Sequence, residues 1–313
     1  MTYLSRRLIL FAITLLLITV VTFVLTNVLP GDVATMILGT RSNAVTLAAL
    51  RHELGLTQPL VVQYAHWLGR LLHGDLGTSL IFKEPVALLL EQKIAASAVL
   101  VVLSLLIAIA IAVPLGIWSA VHRDRWQDMI GSGLALAGIS LPDFFWGIVL
   151  ILVFARTLDW LPSSGYASPI DDPRHALTYA LLPSITLALS LMAHLMRMTR
   201  SAMLEVLSQD FIRVCRAKGL GAGAVILRHA LRNAITPVLT VAGLQLGYLF
   251  GSIIVVESLF NYTGIGWLTY QALLNRDIPL VQATILMIAI VVMLTNLGVD
   301  ILYTLLDPRV RLS

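Results

Sequence analysis

Five stretches of the chain run for more than twenty residues without an Asp, Glu, Lys or Arg: 8–31, 94–122, 176–196, 233–256 and 278–299. A sixth, 129–155, is interrupted by a single charge, Asp143. A helix needs about 20 apolar residues to cross the hydrocarbon core of a bilayer. Backbone amides left unpaired in lipid cost several kcal/mol each, so each such stretch must close its own hydrogen bonds as a helix. The pattern predicts an all-α, polytopic membrane protein with six transmembrane helices. Arg6 and Arg7 precede the first stretch, as they would in a secretory signal. Its apolar run exceeds the roughly 7–15 residues of a signal core, and no small-x-small cleavage site closes it, so it reads as a retained helix.

Two polar connections are too long to be simple links. In the loop 32–93, the apolar residues Val61, Tyr64, Ala65, Leu68, Leu71 and Leu72 recur at helical spacing, with Gln63, His66 and Arg70 on other faces. Pro59 is placed to begin this helix and Gly74 to end it. The loop is expected to be a small outer subdomain that packs on the helix ends, and it offers a docking surface for a soluble partner. In the second connection, 197–232, Asp210 is expected as an N-cap for a short helix over 211–218, Phe211-Ile212-Arg213-Val214-Cys215-Arg216-Ala217-Lys218. Gly219 is placed to stop that helix, and Gly221 and Gly223 follow. Seven basic residues here would also satisfy contact with anionic lipid. A defined helix bracketed by glycines favours a protein partner.

Composition agrees with a bilayer environment. Of the 313 residues, 58% are hydrophobic and 12% charged, against about 25% charged in soluble chains. Arginine and lysine fix the orientation. With both termini inside, the cytoplasmic segments hold Arg6, Arg7, Arg123, Arg125, Arg197, Arg200, Arg213, Arg216, Lys218, Arg228, Arg232, Arg309 and Arg311. The short outer loops hold only Arg156, Arg174 and Arg276. Both ends are therefore expected in the cytoplasm. The net charge of +4 is spread over short segments between apolar runs, unlike the concentrated basic surface of a nucleic-acid binder. The single cysteine, Cys215, rules out an intrachain disulfide framework.

The chain carries no engine of its own. It contains no G-x-x-x-x-G-K-[ST] phosphate loop and no H-E-x-x-H zinc site; after His52-Glu53 the second histidine is missing. It has no G-x-S-x-G nucleophile turn. No catalytic residue and no metal site is expected, and ATP-driven transport would require hydrolysis on another polypeptide. Ionisable residues within or beside the spans are Asp143, His194, Glu257 and Asp300. Such groups are costly in lipid and are by default functional candidates. Asp143 follows Pro142, where the helix should kink, and Asp143 and Glu257 are the preferred candidates for a translocation pathway. Structural roles compete at all four. Gly and Ala in spans two to five allow close helix packing, and Trp118, Trp160, Tyr166 and Trp267 suit interfacial belts.

A set of short motifs then resembles one family, the permease subunits of ABC importers in the dipeptide, oligopeptide and nickel branch. The set runs through Leu29-Pro30-Gly31-Asp32, Leu54-Gly55-Leu56-Thr57-Gln58-Pro59-Leu60 and Gly74-Asp75-Leu76-Gly77. It continues with Asp210-Phe211, Arg216-Ala217-Lys218-Gly219-Leu220, Arg228-His229-Ala230-Leu231-Arg232-Asn233 and Pro237. Glu257, Phe260, Gly264-Ile265-Gly266, Arg276-Asp277-Ile278-Pro279-Leu280-Val281-Gln282 and Asp307-Pro308-Arg309-Val310-Arg311 complete it. Their order and spacing carry the resemblance over nearly the whole length. One departure is that the general EAA pattern begins with a Glu, whereas Cys215-Arg216-Ala217 stands here.

The resemblance implies a type I ABC importer transmembrane domain over residues 95–306. An N-terminal helix and periplasmic loop (1–94) would precede it and a cytoplasmic tail (307–313) would follow. It implies that the EAA-like loop, within about 197–235, couples to an ATPase through Asp210, Phe211, Arg213, Arg216, Ala217, Lys218, Gly219 and Leu220. The implied partners are a second, homologous permease in a heterodimer, two ATP-binding subunits that hold ATP and Mg, and a periplasmic solute-binding protein. This chain would bind no cofactor itself. It would lie in the bacterial inner membrane and move peptides or a related small solute by alternating access. Two other classes fit the pattern less well. A stand-alone secondary transporter often has repeated halves, and no internal repeat is evident. An intramembrane enzyme needs a paired nucleophile and base, and nothing in the spacing pairs the serines with His194.

Overall fold

The computed structural model describes residues 3–28, 34, 38, 43–53 and 55–306. Among them every regular element is helical. Helix α1 (Tyr3–Val28) is followed by two short outer helices, α2 (Ala44–Glu53) and α3 (Leu60–Leu72). Then come α4 (Val86–Val121), α5 (Trp126–Ser140) and α6 (Asp143–Leu150), which widens into a π-helical stretch at Ile151–Thr157. Helix α7 (Pro173–Leu207) leads to the short α8 (Asp210–Ala217). A single turn, Ala222–Ala224, and a π-helical stretch, Val225–Ala230, run into α9 (Leu231–Leu259). Helices α10 (Ile265–Leu274) and α11 (Ile278–Leu306) follow.

Among the described residues five helices are long and apolar enough to cross a membrane: Ile9–Asn27, Val86–Val121, Pro173–Leu207, Ala222–Leu259 and Ile278–Val299. The sixth expected span is not one kinked helix. It is a bent pair, Trp126–Ser140 and Asp143–Thr157, meeting at 106°. The reason lies in Leu141 and Pro142, both in extended backbone (ψ 138° and 151°). Proline removes a donor and pushes the residue before it out of the helical region. Pro114, Pro183 and Pro237 sit inside α4, α7 and α9 without breaking them. The outer helix expected after Pro59 is present as α3, and Gly74 follows its end at φ +79°.

The chain divides into two compact units. The first is Met1–Ala95 with Thr263–Met293. In it, Val86, Leu89 and Leu90 pack with Leu268, Ala272, Leu280 and Val281. The segment just after the motif Gly74–Gly77 meets the motif Arg276–Gln282 here. Asp277, wholly buried, accepts from Ser79 Oγ at 2.5 Å and from the Ile81 amide at 3.2 Å. Its other carboxylate oxygen accepts from the Leu280 amide at 3.3 Å and so caps α11. Thr26 in α1 accepts a hydrogen bond from Gln282 in α11 at 2.9 Å. The motifs at 29–32 and 307–311 lie outside the described residues.

The second unit is Ala96–Tyr262 with Leu294–Ser313, and α7 is its most buried long helix. Its core joins Leu100, Ala108 and Ala112 of α4 to Leu182, Leu187, Leu191 and Leu195 of α7 and to Val238, Leu249 and Ile253 of α9. Small residues permit this closeness. A Cβ added at Gly116 would lie 2.7 Å from Thr199 Cβ and 2.8 Å from the Met196 carbonyl oxygen. Overpacking of this kind costs about 1–3 kcal/mol. Gly116→Val is expected to lower the thermal midpoint of the detergent-solubilised protein, whereas Gly251→Val, which meets nothing within 4 Å, should leave it nearly unchanged.

At the outer start of α7, Asp172 accepts from the His175 amide at 3.1 Å and contacts the His175 ring at 2.6 Å. These hydrogen bonds, the amide first, hold the exposed carboxyl below its ordinary value of 3.8. A depressed pKa adds stability above that value, which is lost as the pH falls through the lower folded value. In acid titrations followed by thermal denaturation, wild type and Asp172→Asn should therefore differ near neutrality and converge below about pH 4.

Candidate functional site

The short helix α8 begins one residue earlier than the sequence predicts, so Asp210 is not its N-cap. Gln209 occupies that position, and Asp210 lies in the first turn, 3.3 Å from Arg213. There it complements the positive helix N-terminus, as Arg216 in the last turn complements the other end. The C-terminus closes as a Schellman motif. The Gly219 amide donates to the Arg216 carbonyl at 3.0 Å, and the Leu220 amide donates to the Cys215 carbonyl at 3.3 Å. Gly219 sits at φ +75°, which a residue with a Cβ adopts only at a cost.

One side of α8 anchors it and the other is free. Ile212 is wholly buried in a cluster with Ala120, Met203, Val206, Val225, Ala230 and Ala234, and Cys215 packs against that cluster. Opposite, Phe211 and Val214 stand one turn apart and are 37% and 52% exposed. Arg213, Arg216, Ala217, Lys218, Gly219 and Leu220 are exposed as well. The surface offered is a short apolar ridge flanked by three cations. All eight residues named for this region lie on α8 or its closing turn.

The two residues singled out for a pathway are not brought together. Asp143 opens α6 at the bend and lines a cleft of about 530 Å³ with Pro142, Phe144, Gly247, Tyr248, Gly251 and Ser252. Its carboxylate is the one charged side chain in that lining. Broken helix ends at membrane depth are tolerated where they line a cavity. Glu257 does not reach the cleft. It is wholly buried near the end of α9, and Ser97 Oγ donates to its Oε1 at 2.6 Å. Just beyond, Tyr262 packs edge-on against Tyr166 with ring centroids 5.1 Å apart. Burial, then Tyr166 and Glu257, push the Tyr262 phenol up. His194 is tied to its own helix through the Ser190 carbonyl at 2.9 Å.

An ionic group in the second unit joins residues that the sequence does not pair. Arg200 Nε and Nη2 donate to the two carboxylate oxygens of Asp128 at 2.5 and 2.6 Å. Ser119 Oγ donates to Asp128 Oδ1 at 2.5 Å, and the Asp124 amide donates to Oδ2 at 3.1 Å. In the sequence Arg200 reads only as a topological charge, because residues 72 positions apart give no sign that they meet. The one local signal is that Asp128 is a carboxylate immediately before the apolar stretch 129–155.

The model of the "Binding-protein-dependent transport system inner membrane component" family matches residues 112–312, and the model of its N-terminal region matches residues 1–81. The chain belongs to this family. A Brucella suis biovar 1 protein named as a peptide transport system permease is 42% identical over 297 residues, covering 95% of each chain. The glutathione transport system permease of Salmonella choleraesuis is 40% identical over 309 residues, covering 99% of this chain and 98% of the relative. Among solved structures, an inward-facing form of the MetNI methionine ABC transporter superposes with a TM-score of 0.60. That match covers 71% of this chain and 97% of the other at 17% identity, and it is a likeness of fold. The protein is thus a permease of an ABC importer and a multi-pass inner-membrane protein. It is not itself an ATPase; hydrolysis belongs to separate subunits, and the permease works with them and with a solute-binding protein.

Proposed function

We propose that this permease carries small peptides from periplasm to cytoplasm by alternating access, driven through α8. The exposed Phe211–Val214 ridge carries the reading. It seats in an apolar groove of an ATPase subunit, while Arg213, Arg216 and Lys218 meet acidic residues on the rim. Two ATPase subunits hold ATP and Mg, and a second, homologous permease completes a heterodimeric pathway. Residues 1–94 form the N-terminal helix and periplasmic subdomain that receives the binding protein, 95–306 the transport domain and 307–313 a cytoplasmic tail, with both termini in the cytoplasm. Peptides are favoured as cargo because the relatives above are named for peptide and glutathione transport.

Alternating access requires the ATPases to bind the two permease states with different free energies. A rigid, capped rod passes on a displacement where a slack loop would absorb it. Gly219→Val forces a β-branched residue into left-handed backbone and should loosen the closing turn of α8. In proteoliposomes containing the whole transporter, ATP hydrolysis should persist while peptide uptake falls about tenfold, a change within the usual range of intersite coupling. Unchanged uptake would sink the lever.

Asp143 is proposed to receive the peptide's ammonium group in the cleft, with Glu257 supporting the cleft wall from behind through Ser97. A hydrogen bond to a charged group is worth about 1.5–3 kcal/mol. Asp143→Asn should therefore reduce uptake of a free dipeptide about tenfold or more, and leave uptake of its N-acetylated form unchanged. An equal loss for both peptides would remove Asp143 from that role.

A further inference from the structure

Helix α7 runs unbroken from Pro173 to Leu207, two residues before the N-cap of α8. Ile212 of α8 then folds back onto Met203 and Val206 of α7 and onto Ala120 at the end of α4. The last turns of α7 and the inner face of α8, through Ile212 and Cys215, therefore share one apolar cluster, and the two helices move as one body. The question is what ties α5, and beyond its bend Asp143, to that body.

Apolar contact alone would be a poor tie. Gly131 and Gly138 of α5 lie against Met196 and Ala193 of α7. Smooth surfaces of small residues hold helices close but resist sliding weakly. The ion pair differs. Asp128 is 5% exposed and sits in the first turn of α5, and Arg200 stands on α7. The guanidinium fork bonds both carboxylate oxygens, which fixes both the distance and the angle between the two helices. Ser119, wholly buried on α4, and the amide of Asp124, in left-handed backbone at φ +61°, take up the remaining acceptor directions. Three helices and the α4–α5 turn thus converge on one carboxylate. A buried ion pair is a weak device for stability, since well-packed apolar residues often do as well. Its particular property is fixed registry.

We infer that Asp128, Arg200 and Ser119 form a rigid joint that passes displacement of α8 and the end of α7 into α5, and so into the broken helix at Asp143. This rests on α8 being the element the ATPases move. The three act as positioning residues and touch no substrate. Arg200 lies seven residues before the end of α7 at Leu207, about 10 Å along the helix, and Ala202, Met203 and Val206 between them belong to the cluster that anchors α8, so the joint is near enough to follow α8. A weakened joint leaves the transporter assembled and hydrolysing ATP while α5 no longer follows.

The test is the ratio of ATP hydrolysed to peptide imported, measured on the complete transporter in proteoliposomes. Arg200→Lys keeps the charge but loses the fork. It should raise that ratio about tenfold while hydrolysis stays within about twofold of wild type, as expected for coupling lost between sites. Hydrolysis and uptake falling together, in proportion to assembled complex, would make the group merely structural and overturn the inference. If Arg200→Lys does not assemble, Ser119→Ala, which retains the ion pair, carries the test. A ratio raised about threefold supports the joint, well under the full coupling range, and an unchanged ratio overturns it. Gly219→Val is run alongside. If it uncouples and the joint variants do not, only the joint fails; if it does not uncouple, the reading of α8 fails.

Discussion

How closely other helices can approach α7 is the constraint on which the second unit depends. Without water to drive apolar surfaces together, helices in a bilayer associate through close packing and hydrogen bonds. Gly116, Gly131 and Gly138 bring α4 and α5 to within van der Waals contact of α7, at separations where a Cβ would not fit. That closeness in turn allows the short side chains of Asp128 and Ser119 to reach Arg200. A bulkier α4–α5 surface would hold the carboxylate out of reach and leave the guanidinium without its partner.

The permease combines stiff and interrupted elements. Helix α7 is continuous, α8 is capped at its C-terminus and pinned by Ile212, and Asp128 locks three helices at one point. Against these stand the bend at Leu141–Pro142 and the π-helical stretches at Ile151–Thr157 and Val225–Ala230. Wide helical turns interrupt the regular ladder and often occur at functional positions. Here one lies directly between α8 and α9, and the bend carries Asp143 to the rim of the cleft. Rigid bodies separated by local breaks suit a molecule that changes which side of the membrane it opens to, because the displacement is concentrated at few residues.

Charge is used sparingly and differently at each level. In α8 it is exposed and available to a partner. At Asp128 the carboxylate is buried and paired through both oxygens with the half-buried Arg200. At Asp277 a carboxylate ties the outer segment 79–81 to the start of α11 and caps that helix. Glu257 serves the end of α9 from the interior. Asp143 presents the one carboxylate in the lining of its cleft.

Much of this was legible in the residues. Apolar length set the spans, since no other backbone arrangement survives in lipid. Pro59 and Gly74 bounded α3, and Gly219 ended α8, because these residues act through their own backbone preferences. Even the position of the break at Pro142 was visible, though not its 106° angle, which depends on what α5 and α6 pack against. The tertiary structure alone decided the partners. Asp128 with Arg200, Ser79 with Asp277 and Ser97 with Glu257 join residues from 72 to 198 positions apart. It also separated Glu257 from the cleft to which Asp143 belongs. Local sequence dictates where a chain can be helical; which polar groups then satisfy one another depends on the helix faces that packing brings together, and that is a property of the folded chain.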